Sequence, residues 1–269
     1  MKVNLIYPGI NKYSNWILAQ IGDELSSRID FNNVWKAPGN FKWKHEQGTL
    51  QSKPDEINYF IDHAILFKTK ALSGAFFTHP EKDGVFKSKL KETDFSIVMA
   101  EQYRQEGNCF LIYPGVDQIY HPKLVLGFIG RTYEGGRKGE TLMEQAASLP
   151  FVELKCTNGD YEKKDLPNFY QSIDYVLVTS TVEGGPLPLI EGAAMGKKTI
   201  CPIDVGFAKD FNSVVVPYEN SNWASLRNVL EQLFEEKKNI SDVVLKHTWD
   251  SFAEGHLKVF REIASIYHL

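Results

Sequence analysis

Short apolar runs alternate with longer amphipathic stretches along most of the chain, and this alternation limits the fold more than any other feature. A parallel sheet covered on both faces by helices produces it, because each strand is a brief buried run and each crossover helix carries one apolar stripe. Candidate strands in the first half are Val3–Tyr7, a run within Tyr59–Phe67, Ala75–Thr78, Phe95–Met99 and Phe110–Tyr113. A second series comprises Leu124–Ile129, Phe151–Leu154, Tyr175–Thr179, Thr199–Cys201 and Val214–Val216. Between the two series, Pro114 and Gly115 in Tyr113-Pro-Gly-Val-Asp117 interrupt the pattern, so a domain boundary is expected there. Leu226, Val229, Leu230, Leu233 and Phe234 share one helical face. Trp249, Phe252, Ala253, Leu257, Phe260, Ile263, Ala264 and Tyr267 follow a similar spacing after Thr248, a suitable N-cap. Residues 35–56 are polar, carry prolines and glycines and show no period, which predicts a long loop.

Composition narrows the function classes. The 269 residues suffice for two domains, and 43% hydrophobic with 24% charged residues excludes disorder and collagen-like structure. Thirty Lys and Arg against 34 Asp and Glu give a net charge of −4. No basic block covers a domain, so no nucleic-acid partner is expected. Cys109, Cys156 and Cys201 lie far apart in or beside apolar runs and read as reduced core residues. No run reaches the roughly 18 apolar residues of a membrane span, and Pro8 breaks the N-terminal run before a signal segment forms. A cytoplasmic location is expected. Lys87, Lys89 and Lys91 with Phe86 and Leu90 between them are a candidate peripheral membrane contact, although a solvated face is the favoured reading.

Chemistry concentrates in residues 127–207. A strand ending at Phe128-Ile129 runs into Gly130-Arg131, continues to Arg137-Lys138-Gly139, and leads into a helix-like stretch from Glu140. Cations on a glycine-permitted loop between a strand and a helix N-terminus make an anion pocket suited to a diphosphate. Taken alone, the stretch also reads as a solvated basic turn. Further on, Glu183-Gly184-Gly185-Pro186-Leu187 follows another strand and opens a helix that holds Pro188 and Glu191. The first N–H groups of a helix have no partner within it, which tolerates proline and points free donors at whatever the turn encloses. Glu183 lies on the turn and Glu191 about one turn into the helix. One carboxylate can face a ligand at the helix mouth while the other reaches hydroxyls further along. Taken alone, Glu191 also reads as an ordinary surface glutamate.

Together, Gly130-Arg131-x6-Lys138-Gly139 and Glu183-x7-Glu191 resemble the signature of the family 4 glycosyltransferases, retaining enzymes of the GT-B fold. The likeness extends to Phe169–Ser180, Ala193–Gly196, Asp204-Val205-Gly206 and the Thr248-Trp249 helix start, and runs from Leu124 to the C-terminus. It implies two Rossmann-like α/β domains facing across a cleft: residues 1–117 on the acceptor side and 118–247 on the donor side, with helix 248–269 crossing back to the first. In that family the pair matching Arg131 and Lys138 holds the donor diphosphate, the residue matching Glu191 binds ribose hydroxyls, and the one matching Glu183 lies by the donor sugar. Backbone N–H groups of Gly184, Gly185 and Leu187, around Pro186, would complete the contacts. The partners implied are a nucleoside-diphosphate sugar as donor substrate and a glycan or lipid-linked acceptor.

The first half departs from the pattern. Many family members carry a double-glycine loop after the first strand, where Tyr7-Pro8-Gly9-Ile10-Asn11 offers only Gly9 as a donor contact. Phe76-Phe77-Thr78-His79-Pro80 resembles the strand end where the family places a histidine near the donor sugar; a histidine satisfied in a loop is the competing reading of His79. No Asp-x-Asp pair ends a strand, and His45, His63, His79 and His121 are not spaced as ligands on one element. No metal or other cofactor is therefore expected, with Arg131 and Lys138 neutralising the diphosphate. Two other readings stand beside a retaining transferase. One is a nucleotide-sugar epimerase or inverting transferase using His79 or Asp62 as base; the other is a non-catalytic nucleotide- or glycan-binding subunit.

Overall fold

The computed structural model describes residues 1–9, 17–37, 52–62, 65–78, 85–117 and 119–269. Its strands are β1 (Lys2–Pro8), β2 (Asn33–Ala37), β3 (Glu56–Phe60), β4 (Leu72–Phe77), β5 (Phe95–Val98), β6 (Cys109–Leu111), β7 (Leu124–Phe128), β8 (Val152–Cys156), β9 (Tyr175–Leu177), β10 (Thr199–Pro202) and β11 (Val215–Tyr218). The helices are α1 (Ile17–Arg28), α2 (Val85–Glu92), α3 (Glu140–Ala147), α4 (Leu166–Gln171), α5 (Leu187–Ala194), α6 (Trp223–Leu245) and α7 (Trp249–Ile266). The chain divides into two units, Met1–Tyr120 with Val244–Leu269, and His121–Val243.

In the first unit β1 is buried beyond its first residue, as a central strand of a covered parallel sheet must be. The sheet runs β2-β1-β3-β4-β5-β6 with every pair parallel. Alternate side chains of β1 enter opposite cores. Val3, Leu5 and Tyr7 meet Leu18, Ile21 and Leu25 of α1 and Phe252, Phe260 and Ile263 of α7, while Ile6 joins Phe60, Phe77 and Val98. Full burial of an aromatic or aliphatic side chain is worth about 1.5–3 kcal/mol at most, so this face of α7 fastens the end of the chain to the first sheet. Thr248 caps α7, its hydroxyl accepting from the Ser251 N–H at 3.0 Å. Gly115 sits against that helix start, where an added Cβ would lie 2.4 Å from the Trp249 nitrogen.

The second unit has the sheet β11-β10-β9-β7-β8, again all parallel. Leu124 and Leu126 pack with Leu142 and Ala146 of α3 and Leu226 and Leu230 of α6 on one face. Val176 and Val178 pack with Phe169 and Tyr170 of α4 and Leu189 of α5 on the other. Counted within each unit, the strand order begins 2-1-3-4-5 in both sheets. The winding therefore reverses between β1 and β3 and again between β7 and β9. In such sheets the loops at the carboxyl ends of the two strands flanking the reversal part to leave a ligand crevice.

Several sequence expectations need correction. Residues 35–37 of the predicted loop belong to β2, an edge strand pairing with β1, and the loop's last residue, Glu56, opens β3. The signal was masked because polar groups satisfy one another there: the buried Asn4 amide donates to buried Glu56 at 3.0 Å and Asn58 at 2.9 Å, and exposed Asn33 donates to Asn4 at 2.9 Å. Tyr267 falls just past the end of α7 and is exposed, and His256 takes a place in the helix's buried face. Cys109 and Cys201 are buried, but Cys156 is only half-buried; all three are free thiols. In the candidate membrane patch Leu90 packs against the core and Lys89 pairs with Glu92 at 2.7 Å; the side chains of Phe86 and Lys87 lie outside the described residues. Among the described residues no helix is long and apolar enough to cross a membrane.

Candidate functional site

The loops after β7 and β9, which flank the reversal in the second unit, hold most of the residues singled out by sequence. After β7 the backbone turns at Gly130, at φ +137, with its N–H on the Thr157 hydroxyl at 3.0 Å. Arg131 is exposed and runs beside Gly159, where an added Cβ would come within 2.7 Å of the arginine Cγ. Arg137 lies 5.9 Å from the Tyr133 ring, within cation–π range. Glu140, the first residue of α3, folds back over the loop. Its carboxylate accepts the Tyr133 N–H at 2.6 Å and the Lys138 N–H at 2.9 Å. These two loop amides are taken by the chain's own carboxylate, and the loop's charged groups for an anion are the side chains of Arg131, Arg137 and Lys138.

The two loops are tied together at Lys138 and Gly139. Gly139 adopts the left-handed conformation at φ +71, and an added Cβ would lie 2.0 Å from the Thr179 carbonyl oxygen, so no other residue fits. The Thr179 hydroxyl donates to the Lys138 carbonyl at 2.6 Å. The Lys138 ammonium in turn forms an ion pair with the Glu183 carboxylate, which also accepts from the Ser180 hydroxyl at 2.9 Å. Burial pushes the Glu183 carboxyl up, but the bonds from Lys138 and Ser180 outweigh it and hold the group below the usual carboxylate range. The pair is only partly screened, with 21% of the Lys138 side chain and 13% of the Glu183 side chain exposed.

The turn after β9 is backed by the loop after β10. An added Cβ on Gly185 would lie 2.1 Å from the Phe207 ring, and one on Gly206, at φ +53, would lie 2.8 Å from the Gly185 Cα. Gly184 is exposed, Pro186 is buried and Leu187 is 64% exposed at the start of α5, whose first turn has no side-chain cap. One turn on, half-buried Glu191 accepts from the Tyr170 hydroxyl at 2.7 Å. Burial and the adjacent carboxylate both push the Tyr170 phenol up, so it stays a donor at any working pH.

Gly130, Arg131, Lys138, Glu183, Gly184, Gly185 and Pro186 thus lie on the loops at the carboxyl ends of the second sheet, and Leu187 and Glu191 in the first turns of α5. Gly9 is half-buried at the end of β1, in the first unit. His79 lies outside the described residues. Asp62, the other candidate base, is buried just after β3 at φ +142, a conformation rare outside glycine. Burial raises the Cys156 thiol and pushes Cys201 up to about 12, which disfavours a thiolate nucleophile. Among the described residues no group of three or more His, Cys, Asp or Glu is arranged to hold a metal ion. Sequence reasoning missed Glu140, Thr179, Ser180 and Tyr170 as parts of the site. Of these only Glu140 carried a local signal, an acid at a helix start.

The second unit is thus a doubly wound α/β protein with cations and carboxylates at its switch point, the place where sheets of this class bind ligands. A sequence model of the family described as glycosyl transferases group 1 matches residues 81–244, and the chain belongs to that family. No curated protein sequence is matched. Among solved structures, a variant of S. aureus TarM in complex with Fondaparinux, alpha-GlcNAc-glycerol and UDP is 17% identical over 81% of this chain and 58% of its own, with a TM-score of 0.33. The lipopolysaccharide outer core galactosyltransferase WaaB is 12% identical over 97% and 99%, with a TM-score of 0.37. Anabaena Alr3699/HepE in complex with UDP is 13% identical over 100% of both chains, with a TM-score of 0.36. The chain thus spans less than two thirds of the TarM structure's length and the full length of others.

Proposed function

We propose that the protein transfers a sugar from a nucleoside-diphosphate sugar to a glycan or lipid-linked acceptor, with retention of anomeric configuration and without a metal ion. The observation that carries this reading is the Lys138–Glu183 pair bridging the two loops at the switch point, with Arg131 on the first loop and Glu191 in the helix that follows the second. The donor diphosphate lies against Arg131 and Lys138, and Glu191 takes the ribose hydroxyls through the carboxylate oxygen that Tyr170 leaves free. Glu183 borders the donor sugar. As the bond from the anomeric carbon to the diphosphate oxygen breaks, negative charge grows on the leaving group, and cations already held in place lower that barrier. The acceptor oxygen bonds to the same face of the anomeric carbon, and its proton passes to the departing phosphate oxygen. Arg131 and Lys138 supply the charge that a divalent ion supplies elsewhere.

The test is release of nucleoside diphosphate from UDP-, GDP- and ADP-sugars, with simple glycans and lipid-linked sugars as acceptors, in excess EDTA. One donor is expected to turn over, the product keeps the donor's anomeric configuration by NMR, and Glu183→Ala abolishes transfer while remaining folded. An inverted product contradicts retention, an absolute divalent-ion requirement contradicts metal independence, and no turnover of any donor contradicts the transferase reading.

A further inference from the structure

We propose that Glu140 and Thr179 act as a two-sided clamp on the backbone of Lys138, positioning its side chain on Glu183 and toward the donor diphosphate. The inference rests on the donor-site reading above and adds two positioning residues to it. Three contacts converge on one short segment: the Lys138 N–H donates to Glu140 at 2.9 Å, its carbonyl accepts from the Thr179 hydroxyl at 2.6 Å, and Gly139 beside it leaves room for the Thr179 carbonyl.

The segment needs such a device. The loop holds Gly135, Gly136 and Gly139, the last two at positive φ, and its residues from Arg131 to Arg137 are exposed. Glycines at that density leave a backbone free to wander, and a lysine side chain carries about 2 kcal/mol of rotamer entropy of its own. Anchoring the peptide on both sides fixes where the side chain starts, so that only its own rotation remains to be frozen. The second oxygen of Glu140 holds the Tyr133 N–H at 2.6 Å and closes the far arm of the loop. Thr179 comes from the other side, two residues past β9, and carries the position of that loop across to Lys138. The charge that meets the leaving group is therefore set by two residues whose described bonds are to backbone, and displacement of a reacting group by about 1 Å can cost roughly a hundredfold in rate.

The experiment compares wild type with Thr179→Val, Thr179→Ser, Glu140→Ala and Lys138→Ala, each checked for folding by backbone NMR. The first readout is the titration of the Glu183 carboxyl by carbon-detected NMR. Without the clamp, Lys138 leaves Glu183, and its titration midpoint moves up in Thr179→Val and Glu140→Ala, toward that of Lys138→Ala, while Thr179→Ser stays native. Direction separates a clamp from simple electrostatics, because deleting the Glu140 charge alone would move Glu183 down. The second readout is affinity for UDP, GDP and ADP, expected to fall about tenfold in Thr179→Val, the effect of removing one charge-assisted hydrogen bond, and to be unchanged by Thr179→Val in a Lys138→Ala background. An unmoved Glu183 midpoint in Thr179→Val and Glu140→Ala overturns the clamp. If no diphosphate binds wild type, the donor reading fails, and the Glu183 titration still decides whether the clamp exists.

Discussion

His256 makes the first unit's stability depend on pH between 6.5 and about 4, a window whose upper part lies above the range of ordinary carboxylates. It is fully buried on α7, between the Tyr59 hydroxyl at 2.9 Å and the Phe252 carbonyl at 2.8 Å, and is ringed by Phe76, Phe252 and Phe260. The Phe252 carbonyl can only accept, so Nδ1 carries the proton and Nε2 accepts from Tyr59. Burial disfavours the imidazolium and pushes the group down from 6.5 to about 4, the bond to Phe252 opposing it only in part. Between those two values the unfolded chain binds a proton that the folded chain refuses. Stability is thus complete above the unfolded value and is lost as pH falls toward the folded one. Each pH unit below 6.5 costs about 1.4 kcal/mol until the folded value is reached, so pH 7.5 to 5 removes about 2 kcal/mol. Urea denaturation of wild type and His256→Gln, followed by tryptophan fluorescence, tests this. Glutamine is neutral throughout, so the variant's stability should be flatter by about 2 kcal/mol over that range, whatever its absolute value. Other titrating groups are common to both proteins and cancel in the comparison. Equal losses in the two proteins exclude His256 as the group that takes up the proton.

Further outcomes follow from the second unit. Gly139→Ala places a methyl 2.0 Å from the Thr179 carbonyl at φ +71, which should cost about 2 kcal/mol or more by denaturant titration and weaken diphosphate binding; a variant with native stability contradicts the close approach. Tyr170→Phe removes the hydroxyl from Glu191 and should lower stability by about 1 kcal/mol, while raising the donor KM more than it lowers kcat. Glu183 is held below the usual carboxylate range despite its burial, so its pair with Lys138 persists until pH falls through that depressed value. The acid limb of the activity profile should move up in Lys138→Ala, and an unmoved limb removes Glu183 from the titration that controls turnover.

The two sheets were largely legible because parallel strands buried on both faces are continuous apolar runs, as in Leu124–Phe128 or Tyr175–Leu177; β3, expected within Tyr59–Phe67, instead spans Glu56–Phe60. What escaped was structure stabilised by polar atoms. Glu56 and Asn58 look like loop chemistry in sequence and become core once Asn4 of β1 bonds to them across β1 and β3. His256 disappeared for the same reason, a polar residue on an apolar face whose partner Tyr59 lies far away in the chain. At the site, glycines next to charged residues could be read locally, since a positive φ and a cation are properties of single positions. Thr179 and Tyr170 could not, because hydroxyls reveal their partners only when β9 and α4 come beside the loops they serve. Glu140 was readable as an acid at a helix start; its closure of the Tyr133–Lys138 loop was not.

Isothermal titration of UDP, GDP and ADP into wild type, Arg131→Ala and Glu191→Ala decides whether Arg131, Lys138 and Glu191 form a nucleoside-diphosphate site. One nucleotide is expected to bind wild type, and each variant should bind it about tenfold or more weakly, the effect of removing one charge-assisted hydrogen bond. Inorganic pyrophosphate in the same titration should feel Arg131→Ala and not Glu191→Ala, since only the nucleotide carries a ribose. No binding by any diphosphate, or binding that both variants leave unchanged, contradicts the account.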